Sequence, residues 1–149
     1  MTADPLLHAS AVAYDGAGVL ILGPSGSGKS ALALQMIGLG AVLIADDRVE
    51  LTAGEAGVIA AAPAAIAGLI EARGVGLIRA PHAAARLRLV VDLGRTETER
   101  LPPIRHTDVM DSRLPLVLGP LTAHLSSTIR LILKGGRIDP EGDLFPSTR

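Results

Sequence analysis

Gly23-Pro24-Ser25-Gly26-Ser27-Gly28-Lys29-Ser30 decides how this chain is read, because it carries the spacing G-x-x-x-x-G-K-S between an apolar run and an amphipathic one. Glycines at this spacing let the backbone turn tightly. Successive N–H groups then converge on an anion at the start of a helix, where unpaired donors and the helix dipole favour negative charge. Lys29 is placed to reach the outer phosphates of a nucleoside triphosphate, and Ser30 to offer its hydroxyl to the accompanying magnesium. A Gly/Ser-rich surface turn would have the same composition, but its flanks would not. Here Val19-Leu20-Ile21-Leu22 reads as a buried strand and the residues from Ala31 onward as a helix, the context a phosphate loop requires.

Working outward, Ala9 to Tyr14 is strand-like, and Asp15-Gly16-Ala17-Gly18 is a turn that folds it back on Val19 to Leu22. His8 stands at the start of that first strand, where a lone histidine reads by itself as a solvated residue. After the loop, Leu32, Met36 and Leu39 share one helical face, and Gly38 and Gly40 offer a stop. Ala41-Val42-Leu43-Ile44-Ala45 is apolar without alternation, the pattern of a strand covered on both faces in a parallel sheet. It ends in Asp46-Asp47-Arg48, which puts carboxylates at the carboxyl end of a central strand, where open α/β sheets bind ligands. Regular strand geometry turns only one of Asp46 and Asp47 toward the phosphates; a bulge or turn brings in both. Without the loop upstream, an Asp–Arg surface pair would be the simpler reading.

Farther along, Val49 to Thr52 and Val58 to Ala61 form a second expected hairpin, and Pro63 suits the first turn of a short helix through Ile66. Glu71 and Arg73 interrupt an apolar segment, Leu69 to Ile78, in which Gly74 and Gly76 allow a tight turn; the two charges fit a structural ion pair or the lining of the phosphate cleft. Arg79 to Arg88 reads as a basic surface loop, Leu87 to Leu93 as a strand, Gly94 to Pro103 as a charged loop and Leu114 to Leu118 as another strand. Pro120 is expected to open a helix with Leu121, Leu125, Ile129 and Ile132 on one face, ended by Gly135-Gly136. The expected fold class is α/β: a P-loop kinase-like core with a mostly parallel or mixed central sheet, flanking helices and hairpins. One catalytic domain is expected over residues 1–136, followed by a loosely held tail over 137–149.

The totals exclude several classes. Only 1% of the 149 residues are aromatic, so the core must be aliphatic. A net charge of −1 gives no general basic surface for nucleic acid. With no cysteine there is neither a disulfide nor a thiolate metal site. The start lacks a signal-peptide pattern, and the longest apolar stretch, Ala56 to Ile70, is short for a bilayer and broken by Gly57, Pro63 and Gly68. A soluble cytoplasmic protein is expected, with neither nucleic acid nor membrane as a partner.

With these residues in hand, the chain from about His8 to Leu101 resembles the catalytic domain of the bacterial HPr kinase/phosphorylase family, in a short form without the amino-terminal domain. Leu43-Ile44-Ala45-Asp46-Asp47-Arg48-Val49 is similar to the family's L-I-A-D-D-R-V segment, and Glu71-Ala72-Arg73-Gly74-Val75-Gly76-Leu77-Ile78 to its E-x-R-G-x-G-x-I signature. His8 matches an active-site histidine. The resemblance implies ATP-dependent phosphorylation of a seryl residue on HPr, a phosphocarrier of the phosphotransferase system. It further implies that Lys29 holds the β and γ phosphates, that Ser30 with Asp47 or Glu71 organises magnesium, and that Asp46 is the general base. Phosphate would be the co-substrate of the reverse phosphorolysis. The family's G-R-N loop has no counterpart here, so kinase activity is expected to exceed phosphorolysis, and any homo-oligomer to use surfaces other than those of long members. Two readings compete with this one: a small-molecule P-loop kinase or ATPase, and a non-catalytic nucleotide-sensing module.

Overall fold

The computed structural model describes residues 2–3 and 6–140. A short strand, β1 (Thr2–Ala3), precedes the hairpin of β2 (Ser10–Tyr14) and β3 (Ala17–Leu22). Asp15 and Gly16 join the hairpin at φ 50° and 81°, the left-handed pair of a two-residue turn whose twist matches that of the strands it connects. The glycine-rich loop of residues 23–28 leaves the carboxyl end of β3 and enters α1 (Lys29–Gly38). Then follow β4 (Val42–Ala45), the hairpin β5 (Glu50–Gly54) and β6 (Gly57–Ala61), a single 3-10 turn at Ala64–Ile66, and the hairpin β7 (Leu69–Ala72) and β8 (Gly76–Arg79). The long β9 (Ala85–Thr96), the hairpin β10 (Arg105–Val109) and β11 (Ser112–Gly119), and α2 (Leu125–Gly135) complete the chain.

The main sheet runs β1-β5-β6-β9-β3-β2-β4, with β11 also on β9 and β10 outside β11; β7 and β8 form a separate small sheet. The sheet is mixed. β3 and β11 are both parallel to β9, whereas the hairpins and the β2–β4 pair are antiparallel. The first residues of β9 pair with β6 and its later ones with β11, so one long strand serves two neighbours along the same edge. Gly18 allows the close approach of β3 to β9, since a Cβ there would lie 2.7 Å from the Arg86 carbonyl oxygen.

Three expectations are corrected. β4 is antiparallel to β2, with Ala11 opposite Ala45 and Val12 opposite Leu43, and not parallel to its neighbour. Its unbroken apolar pattern reports burial on both faces, because Ile44 enters one core cluster and Leu43 the other. The last helix begins at Leu125 and not at Pro120, so Leu121 packs from the preceding loop. β10 lies in a stretch not expected as a strand, where Arg105-His106-Thr107-Asp108-Val109 alternates half-buried and exposed residues at the sheet's edge.

The core has two layers. On one face α1, α2 and β7 cover Val12, Val19, Ile21, Leu89 and Val91 with Leu32, Met36, Ile70, Leu125 and Ile129. Among the described residues the other face contains no helix residue: Leu20, Ala11 and Val90 pack on Leu51, Val58, Ala60, Leu114 and Leu116, so the sheet curls over itself. Both helices therefore lie on the same side. Arg130 ties α2 to the first hairpin, donating from Nε to the Tyr14 hydroxyl at 2.7 Å with its guanidinium carbon 4.9 Å from the ring centre.

Beyond β9, Glu97 closes the turn toward β10 by accepting from Arg105 Nε at 2.7 Å and Nη2 at 2.8 Å. These bonds to Arg105, with those from the Thr98 and Glu99 backbone, take the Glu97 carboxyl from the usual 4.5 down to about 2. At the start of the expected tail, Arg137 donates to the Pro102 carbonyl at 3.1 Å; residues 141–149 lie outside the described residues.

Candidate phosphoryl-transfer site

The site gathers at the carboxyl end of β3. Gly23, Gly26 and Gly28 take φ of 149°, 84° and 102°, a left-handed path that only glycine follows without strain. A Cβ on Gly23 would collide with Ser27 Oγ. That Ser27 oxygen is itself buried with no hydrogen-bond partner among the described residues. Lys29 is the first helical residue; its ammonium donates to the Gly23 carbonyl at 2.7 Å and the Pro24 carbonyl at 3.2 Å, which holds the charge over the loop.

The two adjacent carboxylates occupy different environments. Asp46 is buried at 7% exposure, and its Oδ1 accepts from Ser10 Oγ at 2.9 Å and from Ser30 Oγ at 2.6 Å. Its Oδ2 accepts from the Glu71 backbone N–H at 3.1 Å. One carboxylate thus ties together β2, α1 and β7. Asp47 follows at φ 72°, a left-handed turn that aims its side chain outward. Its Oδ1 lies 2.7 Å from His8 Nε2, with both side chains more than half exposed. The backbone turn is the means by which two successive residues both reach the site, the second of the two possibilities the strand rule left open.

A cleft of about 520 Å³ is lined by His8, Ser10, Ser25, Gly26, Gly28, Lys29, Ser30, Asp47, Glu71 and Arg73, among others. Asp47 reaches its surface and Asp46 does not. The structure therefore brings the expected residues His8, Lys29, Ser30, Asp46, Asp47 and Glu71 into one neighbourhood around residues 23–28 of the loop. Glu71 and Arg73 are both exposed and make no ion pair with each other. Ser10 was not anticipated. Its signal was the single polar side chain within the apolar run Ala9 to Ala13, a position that is fully buried and would be costly without the Asp46 partner.

Among the described residues no group of three or more His, Cys, Asp or Glu side chains is clustered to hold a metal alone. Ser30 Oγ donates its proton to Asp46 Oδ1 and so keeps its lone pairs for a cation, a hard-oxygen ligand that fits magnesium, which keeps waters and binds through one or two protein oxygens plus substrate phosphates.

The family described as HPr Serine kinase C-terminal domain matches residues 1–110. An HPr kinase/phosphorylase of Aromatoleum aromaticum is 38% identical over 154 residues, covering 87% of this chain and 49% of that protein. One from Bordetella pertussis is 43% identical over 100 residues, covering 58% of this chain and 32% of that protein. The chain thus spans about half or less of the length of these curated relatives. Among solved structures, the HPr(Ser) kinase/phosphatase from Coxiella burnetii is similar in fold, with a TM-score of 0.74 at 24% identity, over 88% of this chain and 89% of that one.

Proposed function

The chain belongs to the HPr Serine kinase C-terminal domain family, and from that premise we propose that it is an ATP- and magnesium-dependent serine kinase acting on an HPr-type phosphocarrier protein. The observation that carries the reading is the meeting, in one cleft, of the phosphate loop with Lys29 and of the His8–Asp47 pair. Cleft and carboxylate match what phosphoryl transfer asks of a protein: cations and N–H groups around the phosphates, and one basic oxygen to orient the acceptor hydroxyl.

The environments of the two carboxylates support exchanging the roles that the resemblance implied. A base needs a lone pair facing the substrate. Asp46 has both oxygens engaged by Ser10, Ser30 and the Glu71 N–H and lies under the cleft. Asp47 faces the cleft, and its Oδ2 has no hydrogen-bond partner among the described residues. In the proposed reaction the serine oxygen bonds to the γ-phosphorus, the bond from that phosphorus to the β–γ bridging oxygen breaks, and the hydroxyl proton passes to Asp47. His8 donates from Nε2 to Asp47 Oδ1 and fixes the carboxylate's orientation. Lys29 and the loop N–H groups neutralise the phosphates, and Ser30, oriented by its hydrogen bond to Asp46, would hold magnesium, Glu71 standing at the rim. Magnesium, when bound, supplies further neutralisation of phosphate charge. Run backward with phosphate as the nucleophile, the same Asp47 would return the proton, and we expect this direction to be the slower.

No helix among the described residues is long and apolar enough to cross a membrane; the kinase reading places the protein in the cytoplasm, where ATP and phosphocarriers are found. The test is to incubate the protein with magnesium-ATP and an HPr-type protein and to search for phosphoserine by mass spectrometry. Phosphoserine that disappears in Lys29→Ala supports the reading. ATP turnover without protein phosphorylation would return it to a small-molecule kinase or ATPase, and binding without turnover to a sensing module.

A further inference from the structure

Ser10 reaches Asp46 through one irregularity in the sheet. β2 and β4 pair Ala13 with Val42 and Val12 with Leu43, but then Ala11 with Ala45, so β4 inserts one extra residue, Ile44, between the two registers. The shifted register continues past the strand ends: the Ala9 N–H donates to the Asp47 carbonyl at 3.2 Å, and Leu7 and Val49 exchange N–H···O bonds of 2.9 Å in both directions. The extra residue also changes the face that the next side chains take. Leu43 packs on the helix-covered side of the sheet, Ile44 and Ala45 both pack on the other, and Asp46 therefore returns to the helix-covered side, where α1 carries Ser30. Ser10 lies on that side too, between Ala9 and Ala11 of the opposite cluster. Regular alternation along β4 would turn Asp46 away from both serines.

The bulge thus brings two hydroxyls onto one carboxylate oxygen in a nearly dry place. Ser10 is fully buried and Asp46 almost so. Each oxygen of a carboxylate accepts about two hydrogen bonds. Both positions of Asp46 Oδ1 are filled, one by Ser10 Oγ at 2.9 Å and one by Ser30 Oγ at 2.6 Å, and Oδ2 accepts from the Glu71 N–H. Without the Ser10 hydroxyl one of the Oδ1 positions is empty, the carboxylate is free to turn about its Cβ–Cγ bond, and the Ser30 hydroxyl loses its fixed acceptor. A packing role alone would be met by alanine, the residue on either side of Ser10, and a fully buried hydroxyl is unfavourable unless its hydrogen bond matters.

Resting on the magnesium-ATP part of the kinase reading, we infer that Ser10 is a positioning residue of the magnesium site: its hydroxyl locks the Asp46 carboxylate in the orientation that takes the Ser30 proton, and so sets the Ser30 oxygen as a ligand for the cation that accompanies ATP. Ser10 acts through these two side chains and not on the nucleotide. Partners of this kind, one step removed from a metal, fix the direction of the ligand they hold and are felt in metal affinity.

The test is calorimetric titration of ATP, as its magnesium complex and in EDTA, on Ser10→Ala, Ser10→Val and Ser10→Thr, with a thermal melt of each variant. Valine and threonine have the same shape, so that pair differs in the hydroxyl alone. The expected result is that the ratio of ATP affinity with magnesium to that without falls about tenfold or more in the alanine and valine variants, stays within about threefold of wild type in Ser10→Thr, and that affinity in EDTA moves by no more than about twofold. An unchanged ratio in Ser10→Ala and Ser10→Val, whatever their melts show, makes Ser10 a packing residue and overturns the inference. So does a Ser10→Thr variant that melts like wild type and loses the ratio. A wild-type protein that binds ATP equally with and without magnesium overturns the inference together with the magnesium-dependent reading. Failure to form phosphoserine with the calorimetric pattern intact removes the kinase reading alone and leaves the inference supported.

Discussion

At the scale of single residues, the division of labour between Asp46 and Asp47 is the point on which most depends. Asp47→Asn is expected to cut serine phosphorylation by ~10²–10⁴ while leaving ATP affinity within a few-fold, because it removes the basic oxygen and little else. Raising magnesium should not restore it. Asp46→Asn is expected to behave otherwise: its defect should be partly rescued by magnesium, and it should lose about 1–3 kcal/mol of stability, since Ser10, Ser30 and the Glu71 N–H donate to a group whose acceptor geometry has changed. Initial rates across a magnesium titration, with thermal melts of both variants, separate the two; a rescue pattern the other way round would exchange the roles again. Lys29→Ala should abolish nucleotide binding by calorimetry. The identity of these residues was legible in the loop and the Asp-Asp-Arg run, but the environments on which the proposed roles rest were not. Those environments depend on the left-handed turn at Asp47 and on the buried hydroxyl of Ser10, and neither follows from the alternation of side chains along a strand.

At the scale of elements, strand pairing sets the tolerances. Gly18→Ala would put a methyl group 2.7 Å from the Arg86 carbonyl at the point where the β3–β9 register shifts, and a loss of about 1–3 kcal/mol is expected in denaturant melts. Gly16, which unlike Gly18 has positive φ and meets nothing within 4 Å, should lose stability only through its backbone conformation. The turn between β9 and β10 is sensitive to acid. The Glu97 carboxyl is lowered from 4.5 to about 2, so the stability its pair with Arg105 supplies is complete above the unfolded value and is lost as pH falls through the folded one. The melting-temperature gap between wild type and Glu97→Gln should therefore be constant near neutrality and close between pH 4.5 and 2. Hairpins with strong turn signals, such as Asp15-Gly16, could be read directly from sequence. β10 could not, because an edge strand half in water carries charges that look like a loop until its partner β11 is seen.

At the scale of the molecule, the pattern that was legible was burial, and the pattern that was not was direction. An unbroken apolar run such as Val42–Ala45 announces two covered faces whether its neighbour runs parallel or antiparallel, and only the long return of β9 between β3 and β11 determines which pairings are made. Most of these pairings join segments far apart in sequence, so opening them means opening the fold. Amides of β3 and β9 should exchange hydrogen only through global unfolding, while those of β8, every residue of which is exposed, should exchange through local opening. Exchange measured by mass spectrometry checks this; equal protection in β8 would show that the small hairpin is an integral part of the core. Finally, the chain has one tyrosine and no tryptophan, and that tyrosine is the one held beneath Arg130. All tyrosine absorbance and emission therefore come from one side chain at the contact between the first hairpin and the last helix, and the native molecule carries a built-in optical gauge of whether that helix is seated, with no label to attach.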